Sequence, residues 1–229
     1  MTTIKPSEST AIKPTREYFG PFSTSFREHA HLLVHWGYED ACNRIKHPEK
    51  THDKEETSIT GFLAEAIRGR LYASDQANWY NHYSVHEPSP VETEGRSGKR
   101  RYWIDLIIES AFGDRCQYIF EAKRLKKNKH PVSGYTGSDG MGRFISGKYA
   151  SRYNEAGMLG YVQSNSLAEW KDKVRGKIDQ DAEKLSLTGS QRDEQVIDAF
   201  PLEWVSKHNR NSLRRPISIY HILLDCCVG

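Results

Sequence analysis

The chain lacks most of the features that would declare its class at once. No apolar run approaches the ~18 residues of a membrane-spanning helix, so no transmembrane segment and no membrane partner are expected. The opening Met1-Thr-Thr-Ile-Lys-Pro has none of the apolar stretch that a secretory signal carries, and a cytoplasmic location is expected. Cysteine is scarce: four in 229 residues, none spaced as CxxC, which argues against a zinc knuckle. Cys226 and Cys227 adjoin inside an apolar run and read as buried thiols of a reducing compartment. A phosphate-binding GxxxxGKS/T loop is missing, although residues 128–142 hold Gly134, Gly137, Gly140 and Gly142. There is no internal repeat, and a net charge of only +3 does not by itself point to a partner.

What is present is an ordinary globular composition, 37% hydrophobic and 28% charged, enough for a normal core. The polar Ser-, Thr- and Pro-rich residues 1–20 read as a loosely ordered tail, and 21–229 as one domain with elaborations. Helical periodicity runs over 24–47, with Phe26, Ala30, Leu33, Val34, Ala41 and Ile45 inward. His29, His31 and His35 fall here and read as surface or packing residues, since 29 and 31 do not share a helical face. A second amphipathic helix is predicted over 55–72, with Ile59, Phe62, Leu63, Ala66, Ile67 and Leu71 on one stripe and a capping-box-like start at Asp53 and Glu56. Strands are predicted over 78–87, 101–110 and 116–123, the last two joined by a turn at Gly113-Asp114. A helix over 141–153, a strand over 158–162, a helix from Ser166 to about 185 and a strand over 217–225 complete a mixed α/β sheet flanked by helices.

The positive charge is clustered. Arg96, Lys99, Arg100 and Arg101 form one group, and Lys123, Arg124, Lys126, Lys127 and Lys129 another. Such clusters suit a polyanion, with Arg100, Arg101, Lys126, Lys127 and Lys129 as candidate nucleic-acid contacts, or form two solvated loops. His208, Arg210, Arg214 and Arg215 make a further basic stretch, either phosphate-binding or a solvated loop.

The chemistry concentrates in the 101–123 hairpin. Symmetric pairing about Gly113 sets Asp105 opposite Glu121, with Cβ atoms about 4.5–5.5 Å apart. Two acids so close repel unless a proton or a cation lies between them. Alternation puts Lys123 on the same face as Glu121. Charges inside the apolar strands Tyr102–Ile108 and Tyr118–Phe120 are costly unless paired or metal-bound. Hard carboxylate oxygens without His or Cys suit Mg²⁺, with Mn²⁺ as a substitute. Lys123 would then orient a water or stabilise charge on phosphorus. The bland alternative is a buried ion pair, in which one lysine must satisfy two acids. Glu56 lies near the apolar stripe of its helix and is a candidate accessory acid, or a simple cap; Glu55 lies further round and Glu65 faces away.

Asp105 followed by Glu121-Ala122-Lys123 on the next strand resembles the PD-(D/E)xK nuclease superfamily, the restriction-endonuclease-like fold. The order αβββαβ and an acidic residue, Glu56, on the upstream helix belong to the same resemblance, which covers about 55–225. Ile104 stands where the family's proline would precede Asp105. The resemblance implies a single nuclease domain that hydrolyses nucleic-acid phosphodiesters with Mg²⁺. Asp105 and Glu121 would be metal ligands, Glu56 an accessory ligand and Lys123 the water-assisting residue. Gln163 is a further candidate, against a polar residue at a helix start. DNA is the expected substrate, in restriction or other defence; an RNase or structure-specific nuclease of the same fold and a non-catalytic nucleic-acid-binding protein are the rivals. Cutting both strands would favour a homodimer.

Overall fold

The computed structural model describes residues 24–73, 82–90, 102–111 and 116–228. Its first helix, α1 (Thr24–Lys46), buries all six apolar positions that the periodicity picks out. The second, α2 (Glu56–Tyr72), buries Ile59, Phe62, Leu63 and Ile67, while Ala66 and Leu71 pack against the core less completely. The two helices lie side by side, tied at their outer surface by Arg44–Glu65 and Arg70–Asp40 pairs. A 3-10 turn over Thr51–Lys54 leads into α2. The Asp53 carboxylate caps that turn through the Lys50 N–H, and Glu55 stands at the N-cap of α2 with no side-chain cap, so the expected Asp53–Glu56 capping pair does not form.

The remaining elements are β1 (Tyr83–His86), β2 (Ser89–Pro90), β3 (Trp103–Ile104), β4 (Leu106–Ser110), β5 (Gln117–Leu125), α3 (Val132–Thr136), α4 (Met141–Ile145), β6 (Glu155–Val162), α5 (Leu167–Gln180), β7 (Arg192–Asp193), β8 (Trp204–Arg210) and β9 (Arg215–Asp225). Seven strands form one sheet in the order β1-β4-β5-β6-β9-β8-β7, and β2 pairs with β3 apart from it. β5, β6 and β9 run parallel and the outer strands antiparallel, so the sheet is mixed. Central β6, with a parallel partner on each side, is buried at all eight residues, as parallel strands covered on both faces are.

Helices cover both faces. On one, His31 of α1 bonds the Tyr118 hydroxyl of β5, and Thr60 of α2 bonds Tyr161 of β6. On the other, Tyr135 of α3 bonds His221 of β9, and Lys171 of α5 lies over Trp204 of β8. His29 and His31 are packing residues, as expected: His29 bonds the Tyr83 hydroxyl, and buried His31 pairs with Glu203.

Three expectations are corrected. The strand predicted over 101–110 breaks at Asp105, where the chain leaves the small β2–β3 ladder and enters the main sheet. The helix predicted over 141–153 stops at Ile145, because Gly147 adopts φ +74 and Tyr149 N–H turns back to the Arg143 carbonyl. The basic stretch 208–215 is a solvated loop only in part: Arg214 is exposed on the turn 211–214, but His208 and Arg210 are buried in β8, and the Arg210 guanidinium bonds the carbonyls of Ala150, Tyr153 and Pro216. Residues 1–20, the basic cluster Arg96–Arg101 and the Gly113-Asp114 turn lie outside the described residues. Among those described, no helix is long and apolar enough to cross a membrane.

Candidate active site

The site forms where one strand outlasts its neighbour. β4 pairs with β5 only as far as Leu106 opposite Phe120, while β5 runs on to Leu125. Beyond that point the β5 edge presents N–H groups with no strand to receive them. An unpaired buried N–H is costly, and two carboxylates accept these instead. The Ala122 N–H donates to Asp105 Oδ2 at 2.8 Å, and the Arg124 N–H to Glu56 Oε2 at 3.1 Å. The bend at Asp105 thus has a cause: the acid caps the strand edge rather than continuing the ladder. Its position still follows the expected register, since the pairing of Leu106 with Phe120 sets Asp105 next to Glu121.

Lys123 ties the acids together. Its ammonium donates to Glu56 Oε1 at 2.9 Å, Glu121 Oε1 at 2.8 Å and the Ala122 carbonyl at 2.6 Å, with Asp105 Oδ2 4.0 Å away. Asp105, Glu121, Lys123 and Glu56 are therefore brought together, and Glu56 is no helix cap. Burial differs sharply among the acids: the Glu121 side chain is 2% exposed, that of Asp105 19% and that of Glu56 27%. Glu121 Oε2 is buried and makes no hydrogen bond.

The electrostatics follow. Burial, reinforced by the charge of Asp105, pushes the Glu121 carboxyl up to about 8, against the pull of Lys123 and Arg143. Burial likewise raises Asp105 above the usual range, opposed by Lys123 and the Ala122 N–H. Burial alone would lower the Lys123 ammonium, but Glu121, Glu56 and Asp105 outweigh it and hold the proton on nitrogen more firmly than in an ordinary lysine.

Lys126, Lys127 and Lys129 lie on a turn just past β5, closed by a Lys126–His130 bridge, with Lys127 and Lys129 exposed. Arg100 and Arg101 fall outside the described residues. Gln163 does not start a helix: Ser166 caps α5, and the Gln163 side chain bonds the Lys54 carbonyl, fastening the turn before α2. The sequence reading missed Arg143 of α4, whose Nε stands 3.9 Å from Glu121 Oε1. Neither periodicity nor motif marked it.

Among the described residues, no three His, Cys, Asp or Glu side chains are gathered as a ready metal cage. The donor chemistry nonetheless fits a hard divalent cation. Asp105 and Glu121 are neighbouring carboxylates, Glu121 Oε2 is an unspent buried acceptor, and the Ala122 carbonyl faces the same cluster. Comparison with protein-family models, curated proteins and solved structures returned no match. The site's chemistry therefore rests on its own residues.

Proposed function

We propose that the chain is a nuclease of restriction-endonuclease-like architecture, hydrolysing DNA phosphodiester bonds with Mg²⁺, for which Mn²⁺ substitutes. One observation carries the reading: Asp105 at the bend before β4 converges with Glu121 and Lys123 of β5 where β4 stops short of it, and one of the acids is buried with an unspent oxygen. Asp105 and Glu121 would hold the ion, with Glu56 as an accessory ligand. When bound, the ion acidifies water and neutralises charge growing on phosphate.

The protein's own groups do the rest. Glu121, protonated below about pH 8, must release its proton before it can accept a cation. Asp105 is held in place by the Ala122 N–H. Lys123 keeps its proton and supplies positive charge beside the reacting phosphate. Glu56 orients that ammonium through its 2.9 Å contact. The exposed lysines of the 126–129 turn would meet neighbouring phosphates.

A non-catalytic nucleic-acid-binding protein is the competing reading, favoured by Lys123 already bridging Glu56 and Glu121. Calorimetric Mn²⁺ titration separates the two. A nuclease binds the ion, Asp105→Ala loses it, and Lys123→Ala keeps it while cleaving about 100-fold more slowly. Absence of Mn²⁺ binding in the wild type would favour the competing reading.

A further inference from the structure

Three glycines fold the chain after β5 into a tight knuckle. A Cβ at Gly140 would lie 2.1 Å from the Tyr135 carbonyl oxygen, one at Gly137 2.5 Å from that of Ser133, and one at Gly142 2.8 Å from that of Gly137. Backbone leaves no room for a side chain at these points, so α3 and α4 double back on each other at main-chain distance. The glycine-rich stretch is thus a packing device, and its effect is to carry Arg143 to the acid cluster.

Arg143 is held there by several contacts. One terminal nitrogen donates to the Tyr149 hydroxyl and, at 3.5 Å, to the Trp103 carbonyl, two residues before Asp105. The guanidinium lies 5.1 Å from the Tyr149 ring centroid and 5.7 Å from that of Tyr102. Its Nε is buried and makes no hydrogen bond, because Glu121 at 3.9 Å is out of bonding reach. Asp139, at 3.6 Å from the other terminal nitrogen, is 82% exposed, so their attraction is weak.

A role as counter-charge to Glu121 accounts poorly for this arrangement, since Lys123 already bonds the same oxygen at 2.8 Å. Before an ion is bound, the acids outnumber the lysine even with Glu121 protonated, so the cluster is net negative and would repel a phosphodiester. An arginine with unspent donors, fixed beside those acids, is suited to receive an anion, because its planar fork matches phosphate oxygens.

We propose that Arg143 contacts a nonbridging oxygen of the phosphodiester held at the Asp105–Glu121 centre, supplying the attraction that the acids withhold. The assignment rests on the nuclease reading above. It is tested with Arg143→Ala and Arg143→Lys in three measurements. The first is single-turnover DNA cleavage in Mg²⁺. The second is DNA binding across a salt series in a cleavage-silent Asp105→Asn background. The third is Mn²⁺ calorimetry without DNA.

Arg143→Ala should cut about 100-fold more slowly. Its log–log salt slope should be shallower by about 0.9, the signature of one lost phosphate contact. Mn²⁺ affinity should be unchanged or tighter, since a neighbouring cation is gone. Arg143→Lys should restore the salt slope but only part of the rate, lacking the fork. An unaltered salt slope, with either normal cleavage or weakened Mn²⁺ binding, would overturn the assignment and leave the nuclease reading standing. A wild type that neither binds nor cuts DNA or RNA would overturn both.

Discussion

The Glu121 side chain has almost no solvent contact and a second acid beside it, so its proton is held up to about pH 8. Unfolded, it would ionise near its ordinary 4.5. Between those values the folded state keeps a proton that the unfolded chain has lost, so this group makes stability fall as pH rises through the window. Glu121→Gln removes the effect. Its unfolding free energy from urea titration should match the wild type's near pH 4.5 and rise above it towards pH 8, by about 1.4 kcal/mol per pH unit at most. A value below the wild type's across the whole range would contradict the burial argument. Asp105, Glu121 and Lys123 were legible in the sequence because strand alternation and hairpin symmetry are enough to bring them together. Arg143 was not, because a glycine knuckle rather than a periodic element delivers it, and only the packing distances reveal that.

Among the elements, α1, α2, β5 and β9 announce themselves through apolar periodicity, whereas β8 is hidden. Its inward residues are Trp204, Ser206, His208 and Arg210, which read as polar loop in a bare sequence. Each is buried with a partner: Trp204 donates to Gln191, Arg210 to main-chain carbonyls, and Ser206 and His208 join His221 in one chain of hydrogen bonds. The Ser206 hydroxyl lies 2.7 Å from His208 Nε2 and 2.8 Å from His221 Nε2, His208 Nδ1 is 2.8 Å from the Leu185 carbonyl, and His221 Nδ1 is 3.0 Å from the Tyr135 hydroxyl. A single proton order fits. His208 donates to Leu185, Ser206 to His208, His221 to Ser206 and Tyr135 to His221, so both imidazoles are neutral. Burial lowers His208 to about 4 and His221 well below its usual value, in accord with that order. Ser206→Ala leaves two buried ring nitrogens unpaired and should cost about 1–3 kcal/mol in chemical denaturation. The stability contributed by neutral His208 is present above pH 6.5 and lost as pH falls towards about 4, because the unfolded chain then takes up a proton that the fold refuses. A Ser206→Ala protein as stable as the wild type would mean that the chain of hydrogen bonds contributes nothing net.

On the scale of the whole molecule, the sheet is a partition with α1 and α2 on one face and α3 and α5 on the other. The candidate site sits at one strand end, where the N-terminus of α2, the bend before β4 and the α3–α4 knuckle meet. The mixed α/β class was readable from element order alone, but the strand order β1-β4-β5-β6-β9-β8-β7 was not, since β7 and β8 left no apolar signal. The lysine turn follows directly on β5, whose Glu121 and Lys123 belong to the site. Replacing Lys126, Lys127 and Lys129 by glutamate should weaken nucleic-acid binding and flatten its salt dependence. An unaltered slope would show that the turn faces away from phosphate.

The most direct test is cleavage of labelled duplex DNA, single-stranded DNA and RNA with Mg²⁺ or Mn²⁺, run side by side for the wild type, Asp105→Ala and an EDTA control. The account predicts metal-dependent cuts by the wild type, strongest on DNA, and none above the EDTA control for the variant. Cleavage by Asp105→Ala at the wild-type rate, or no cleavage of any substrate by the wild type, would contradict it.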